Sequence, residues 1–180
     1  MVYNGTRRKV FISHYKGDKN AVEEFITRFA NQEKVFISYV LCANSNDDFI
    51  DSTNTDYVMT QLRKKYLQDT TMTIVLSGNC ANSRRYVDWE LKSSLGQGEY
   101  IPNGVLGILL PSTAHLPARL KDNLEKDCYA SYRPYPANAQ QLGSWIVETF
   151  SARDKKAHLI KSSKDMMKYN QKCLVCGVTY

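Results

Sequence analysis

The sequence predicts a doubly wound α/β fold, a mainly parallel five-stranded sheet with helices on both faces. Three observations predict it. Short apolar runs rich in β-branched and aromatic residues alternate with segments whose apolar residues recur at helical spacing. The first strand, helix and second strand fit within about 35 residues, the size of a right-handed parallel βαβ unit. The 180 residues suffice for one sizeable core, and no break in composition divides them.

Residues 9–13 (KVFIS) form a short buried strand that ends in a polar turn, with Asp18 placed to cap the next helix. Val22, Phe25, Ile26 and Phe29 fall at i, i+3, i+4 and i+7, so residues 19–31 are an amphipathic helix. Residues 35–41 (VFISYVL) are the second strand. Residues 42–55 are rich in Asn, Asp, Ser and Thr without a period, and a loop longer than about 12 residues inside a compact domain tends to be functional. Helical spacing resumes at Asp56, with Val58, Met59, Leu62 and Tyr66 inward. Residues 71–77 (TMTIVLS) are the third strand, residues 83–95 a helix and residues 105–110 (VLGILL) the fourth strand, stopped by Pro111. Residues 116–124 suggest a helical turn and residues 128–132 a weak edge strand closed by Pro134 and Pro136. Asn138 can cap a last helix that buries Leu142, Trp145, Ile146 and Phe150. Residues 1–150 thus read as one domain. Residues 151–180 read as a loosely attached basic tail or an oligomer contact. The strand order is flavodoxin-like if the first crossover reverses direction, as the short loops suggest.

Composition narrows the function classes. With 43% hydrophobic and 23% charged residues, the chain is neither disordered nor fibrous. The longest apolar runs are too short to cross a bilayer, and the first ten residues lack the apolar stretch of a signal peptide, so a cytoplasmic protein without a membrane partner is expected. Cys42, Cys80, Cys128, Cys173 and Cys176 are odd in number and mostly scattered, which fits reduced thiols. The net charge of +6 comes in short clusters without a zinc finger, RNP sequence or basic-region heptad, so no nucleic-acid partner is expected. A solvated basic surface of this kind still suits a polyanion such as a dinucleotide.

One acidic residue resists a surface explanation. If Ser83 caps the helix of residues 83–95, its apolar stripe is Val87, Leu91 and Leu95, and Glu90 falls inside or beside that stripe. The positions three and four away are Tyr86, Val87, Ser93 and Ser94, so no ion pair along the helix compensates the carboxylate. Glu90 either sits on the margin and reaches water, or is buried for a purpose. Ligands of doubly wound sheets bind beyond the carboxyl ends of the strands, here between the first and third. His14 and Tyr15 leave the first strand at that edge; Ser77, Gly78 and Asn79 leave the third; the Glu90 helix rises beside them.

The order of KVFISHYKGD, a long second loop, TIVLSGNCANSRRYVDWEL and VLGILLP resembles the TIR-like domains of prokaryotic immunity, closest to the TIR-like subunit of the Thoeris antiphage defence system. The resemblance spans residues 8–150 in element order and is specific in the first strand and the third-strand-to-helix segment. In TIR domains that cleave NAD, the catalytic glutamate follows an aromatic residue by four positions and precedes Leu or Ile. Tyr86, Glu90 and Leu91 match, with Tyr in place of the commoner Trp and the Trp at 89.

That resemblance implies an enzyme of the NAD glycohydrolase or cyclase type with Glu90 as catalytic residue. NAD is then the substrate, and no cofactor is expected. Rupture of the ribose–nicotinamide bond passes through an oxocarbenium-like species that one carboxylate can stabilise. A normal or depressed pKa suffices, because nicotinamide leaves as a neutral molecule. Phe11, Ser13, His14 and Tyr15 can line the nicotinamide end, although Phe11 also reads as plain core and His14 as a surface residue. Ser77, Gly78, Asn79 and the Ser83 helix start can cradle a pyrophosphate, and Tyr86 can supply an aromatic wall. No Gly-x-Gly-x-x-Gly or Walker A sequence is present. The pair Cys173 and Cys176 would need two further ligands to hold zinc, so no metal is expected.

The resemblance further implies a diffusible ADP-ribose-derived nucleotide that activates a separate effector, with homo-oligomerisation or a phage protein as trigger. Two other classes stay open. One is a non-catalytic interaction module using the 42–55 loop; the other is a nucleoside or nucleotide-sugar transferase with Glu90 as nucleophile.

Overall fold

The computed structural model describes residues 3–40, 54–96, 101–111, 115–124 and 128–179. Its centre is a five-stranded, all-parallel sheet in the order β2-β1-β3-β4-β5. The strands are β1 Arg8–His14, β2 Phe36–Val40, β3 Met72–Ser77, β4 Gly104–Leu109 and β5 Ser131–Arg133. The helices are α1 Lys19–Ile26, α2 Thr55–Leu62, α3 Arg85–Ser94, α4 Ala118–Asp122 and α5 Ala139–Lys155. This is the flavodoxin-like arrangement expected, and β1 beside β3 is the point where the order reverses. Of the long polar loop expected at residues 42–55, residues 42–53 lie outside the described residues.

Period-two alternation sends each strand's side chains to opposite faces. Val10 and Ile12 of β1, Ile74 and Leu76 of β3 and Leu106 and Ile108 of β4 join Val22, Phe25, Leu142 and Ile146 in one apolar layer under α1 and α5. Val75 and Val105 face the other way, against Val87, Leu91 and Leu95 of α3 and Leu120 of α4. Phe11, Ser13 and Thr73 share that second face by alternation, and the Thr73 hydroxyl lies 2.7 Å from that of Ser94.

Where α5 crosses the start of β4, the backbones nearly touch. A Cβ added to Gly104 would lie 2.8 Å from the carbonyl oxygen of Thr149 and 2.7 Å from Met72 Sδ. Gly104→Ala is expected to cost about 1–3 kcal/mol in thermal unfolding, because main chain cannot step aside as a side-chain tip does.

Local chemistry explains where α5 and α2 begin. Asn138 caps α5 by accepting the Gln141 amide at 2.9 Å, as its sequence position predicts. Asn54 does the same for α2 through the Tyr57 amide at 3.0 Å. Two helices continue past their α-helical part as π-helical turns, Thr27–Gln32 and Arg63–Leu67, which the apolar spacing did not foresee. Asp18 departs from its expected role. It precedes α1 but makes no side-chain capping bond.

The tail departs most from expectation. It is not loosely attached: α5 runs on to Lys155, and the following chain lies along the outer side of α3. There Trp89 Nε1 donates to the Met167 carbonyl at 2.8 Å and Lys92 Nζ to the Lys164 carbonyl at 2.8 Å. No helix among the described residues is long and apolar enough to cross a membrane.

Candidate functional site

The site is built around the connection from β3 to α3. Its first residues, Gly78 to Arg84, turn back through the short 3-10 segment Ala81–Ser83 before α3 begins. Ser83 is not the cap that the sequence predicts. Its hydroxyl donates to the Cys80 carbonyl at 2.9 Å, and the cap position belongs to Arg84, whose side chain makes no capping bond. The first amide of α3 is satisfied from the tail instead, where Arg85 N–H donates to Asn170 Oδ1 at 2.9 Å. Gln171 N–H donates to the Ser83 carbonyl at 2.9 Å, so the tail packs directly on this turn. The Asn79 carbonyl accepts from Asn82 Nδ2 at 2.9 Å.

Glu90 does not sit on the margin of its helix. It is 4% exposed, and Ser13 Oγ donates to its Oε2 at 2.5 Å. Ser13 is paired with Val75 across the β1 and β3 junction, so this bond ties the carboxyl to the carboxyl end of the sheet at the switch point. Burial pushes the carboxyl up to about 8, with the Ser13 hydroxyl pulling the other way. At neutral pH the group therefore rests protonated, whereas the chemistry read from the sequence asked for no more than a normal or depressed value. The helix offers no cation, and the single hydroxyl does not offset lost hydration.

A pH dependence of stability results. Between about 4.5 and about 8 the folded chain holds a proton at Glu90 that the unfolded chain has released. The contribution is fully present below that window and is lost as pH rises through it, by a few kcal/mol in order of magnitude. Urea midpoints at about pH 5 and about pH 8 should differ accordingly. Glu90→Gln should remove this part of the slope, and an unchanged slope would reject the assignment.

Among the remaining candidates, Phe11 is fully buried two residues before Ser13, its ring centroid 6.5 Å from that of Tyr66, and it serves the core. His14 is partly exposed; burial lowers its pKa against a backbone hydrogen bond at Ile12 that raises it. Tyr15 lies under the Arg84 guanidinium, 4.1 Å from the ring centroid. Ser77 is buried at the end of β3. Gly78 leaves room for Asp18, whose carboxylate would collide with any added Cβ. Tyr86, one turn before Glu90, meets Trp89 edge to face at 5.2 Å. The structure thus joins Ser13 to Glu90 directly, and gathers Tyr15, Asp18, Gly78 and Arg84 at the same edge. Asp18 and Arg84 were missed as site residues. Asp18 reads as a cap and Arg84 as one of a basic pair, and their meeting depends on the loops between them. Burial raises the Asp18 pKa, with Arg84 opposing the rise.

Residues 11–115 match the family model described as Thoeris protein ThsB, TIR-like domain, and this is more than half of the chain. The chain belongs to this family. Among curated proteins, none matches it. The matched part of the Thoeris TIR-like domain begins in β1 and ends before α4, so it contains Ser13, Glu90 and the edge between them.

An ion pair and a thiol cluster tie the matched part of the Thoeris TIR-like domain to the residues that follow it. Arg119 of α4 holds Asp88 through two bonds, Nε to Oδ1 at 2.8 Å and Nη2 to Oδ2 at 3.1 Å, with both side chains buried. The same guanidinium donates to the carbonyls of Lys164 and Asp165, and Met167 N–H donates to Asp88 Oδ2 at 2.9 Å. Asp88 thereby faces the tail while Glu90, two residues on, faces the sheet. The tail also brings Cys173 and Cys176 beside Cys80, which lies 93 positions before Cys173 and which spacing alone could not connect to it.

Proposed function

We propose that this Thoeris TIR-like domain cleaves the nicotinamide–ribose bond of NAD and converts the ADP-ribose part into a signal nucleotide that activates a separate effector in antiphage defence. The observation that supports it most is the buried Glu90 carboxyl, held by Ser13 beside the β1 and β3 junction. A buried acid without a cation is poised to respond to one. The nicotinamide ring of NAD carries a positive charge, so its approach favours release of the Glu90 proton to solvent. Rupture of the C1′–N bond sends its electron pair to the nicotinamide nitrogen and leaves the positive charge on the ribose. The ionised Glu90 then faces that charge in a site poor in water, where a fixed carboxylate acts far more strongly than in solution. The Ser13 hydroxyl orients it. A water molecule or a hydroxyl group of the nucleotide captures the ribosyl cation and passes its proton to the Glu90 carboxylate, which restores the resting acid, and the identity of that nucleophile sets the product.

The test is nucleotide profiling of infected cells that carry the wild-type chain or Glu90→Gln. It is paired with incubation of pure protein with NAD, its 2′-phosphorylated form and deoxynucleosides. Loss of NAD with release of nicotinamide, in the wild type alone, supports the reading. Base exchange on deoxynucleosides would replace it with a transferase, and absence of any turnover in infected cells with a non-catalytic module.

A further inference from the structure

A cluster of three thiols lies where the tail meets the β3 to α3 connection, and the chemistry at Glu90 does not use it. Cys80 and Cys173 are buried with their sulfurs 3.3 Å apart, and Cys176 Sγ lies 3.5 Å from Cys80 Sγ. All three sulfurs fall within 4.8 Å of one another. A tetrahedral zinc ion with bonds of about 2.3 Å keeps its sulfur ligands roughly 3.8 Å apart, so small side-chain adjustments close this cluster on an ion.

The surrounding main chain is shaped for thiolates. Residues 173–177 read Cys-Leu-Val-Cys-Gly. Within this turn Val175 N–H donates to Cys173 Sγ at 3.4 Å, and Gly177 N–H donates to the Cys173 carbonyl at 2.9 Å. Gly177 has φ +72°, which glycine adopts without strain and which lets the turn close behind the second sulfur. An amide aimed at sulfur favours the charged form, and hydrogen bonds of this kind are how a protein orients metal ligands. Burial and the neighbouring sulfurs favour the neutral Cys80 thiol, while the Arg84 guanidinium near it favours the thiolate and offsets part of the negative charge that three thiolates would place on a divalent ion.

We infer that Cys80, Cys173 and Cys176 form a three-thiolate zinc site, with solvent in the fourth position on the side of the exposed Cys176. Soft sulfur donors select zinc over magnesium or calcium. Binding replaces the thiol protons with the ion and releases them to solvent. The site clips the tail onto the connection that leads into the Glu90 helix. It therefore has a structural role, independent of the reading of Glu90.

The test uses the full chain purified under reducing conditions without chelator. Zinc content is measured directly, and the metal-free chain is titrated with cobalt(II) as a spectroscopic probe. The expected result is one zinc ion per chain, and with cobalt a sulfur-to-metal charge-transfer band plus the visible bands of a tetrahedral site. Cys176→Ser changes an exposed side chain and leaves the fold intact, yet should weaken zinc affinity at least about 100-fold, as should Cys80→Ser. Cys128→Ser, whose thiol bonds the Ala130 carbonyl away from the cluster, should bind like the wild type. A reduced chain that gives no charge-transfer band overturns the inference. So does equal loss in Cys128→Ser, or a Cys80 to Cys173 disulfide that binds no metal once reduced.

Discussion

Replacing Glu90 with Gln is expected to lower kcat/KM for nicotinamide release by at least about 100-fold, some 3 kcal/mol of transition-state stabilisation, while the protein remains folded. Gln matches Glu in shape and can still accept the Ser13 hydroxyl, but it carries no charge to set against a ribosyl cation. The same substitution should leave stability at mildly alkaline pH equal to or above that of the wild type, because the folded wild type there withholds ionisation from a group that the unfolded chain ionises freely. Opposite movement of activity and stability is the signature of a residue retained for chemistry. Steady-state kinetics and urea unfolding on one preparation check it. A variant that loses activity and stability together would make Glu90 a structural residue. Ser13→Ala is expected to act in the same direction on activity but more weakly, since it removes the orienting bond and leaves the carboxyl in place.

Arg119→Ala is expected to destabilise the protein by about 3–5 kcal/mol, the usual result of leaving a buried partner charge uncompensated. Asp88 would keep the Met167 amide but lose both guanidinium bonds, and the carbonyls of Lys164 and Asp165 would lose their donor. Two consequences distinguish this from an ordinary surface ion pair, whose loss costs about 1 kcal/mol or less. Limited proteolysis should find new cleavage between residues 160 and 170 before the sheet is lost. Adding Asp88→Ala to Arg119→Ala should cost much less than Asp88→Ala alone, as coupled partners do. Additive effects would show that the two groups act separately.

The sheet was legible because its strands are buried on both faces and so read as continuous apolar runs, which leaves few alternatives for TIVL or VLGILL. Glu90 was legible as an anomaly for a similar reason, since its neighbours along the helix offer it nothing. Its protonation was not legible. The hydrogen bond that bears on it comes from Ser13, 77 positions earlier, and sequence spacing on one helix says nothing about a partner on a strand. The tail was misread because it is held mainly by main-chain groups. Carbonyls at Lys164, Asp165 and Met167 accept from Arg119, Lys92 and Trp89, so the tail's own side chains carry no apolar period to read. In helix α3, Asp88 and Trp89 lie off the apolar stripe and are buried where the tail packs on them. The Ser83 cap failed because Asn170, far away in sequence, supplies the acceptor.

Attachment through the main chain also governs how this protein can be cut and joined. Point changes at Asp165 and Met167, which act through their carbonyls, should pass unnoticed, whereas deleting the tail would strip the indole of Trp89 of its acceptor and leave the Arg119 fork half empty. A shortened version ending near residue 150 would therefore be a different molecule around α3, and inactivity in such a fragment would say nothing about the intact chain.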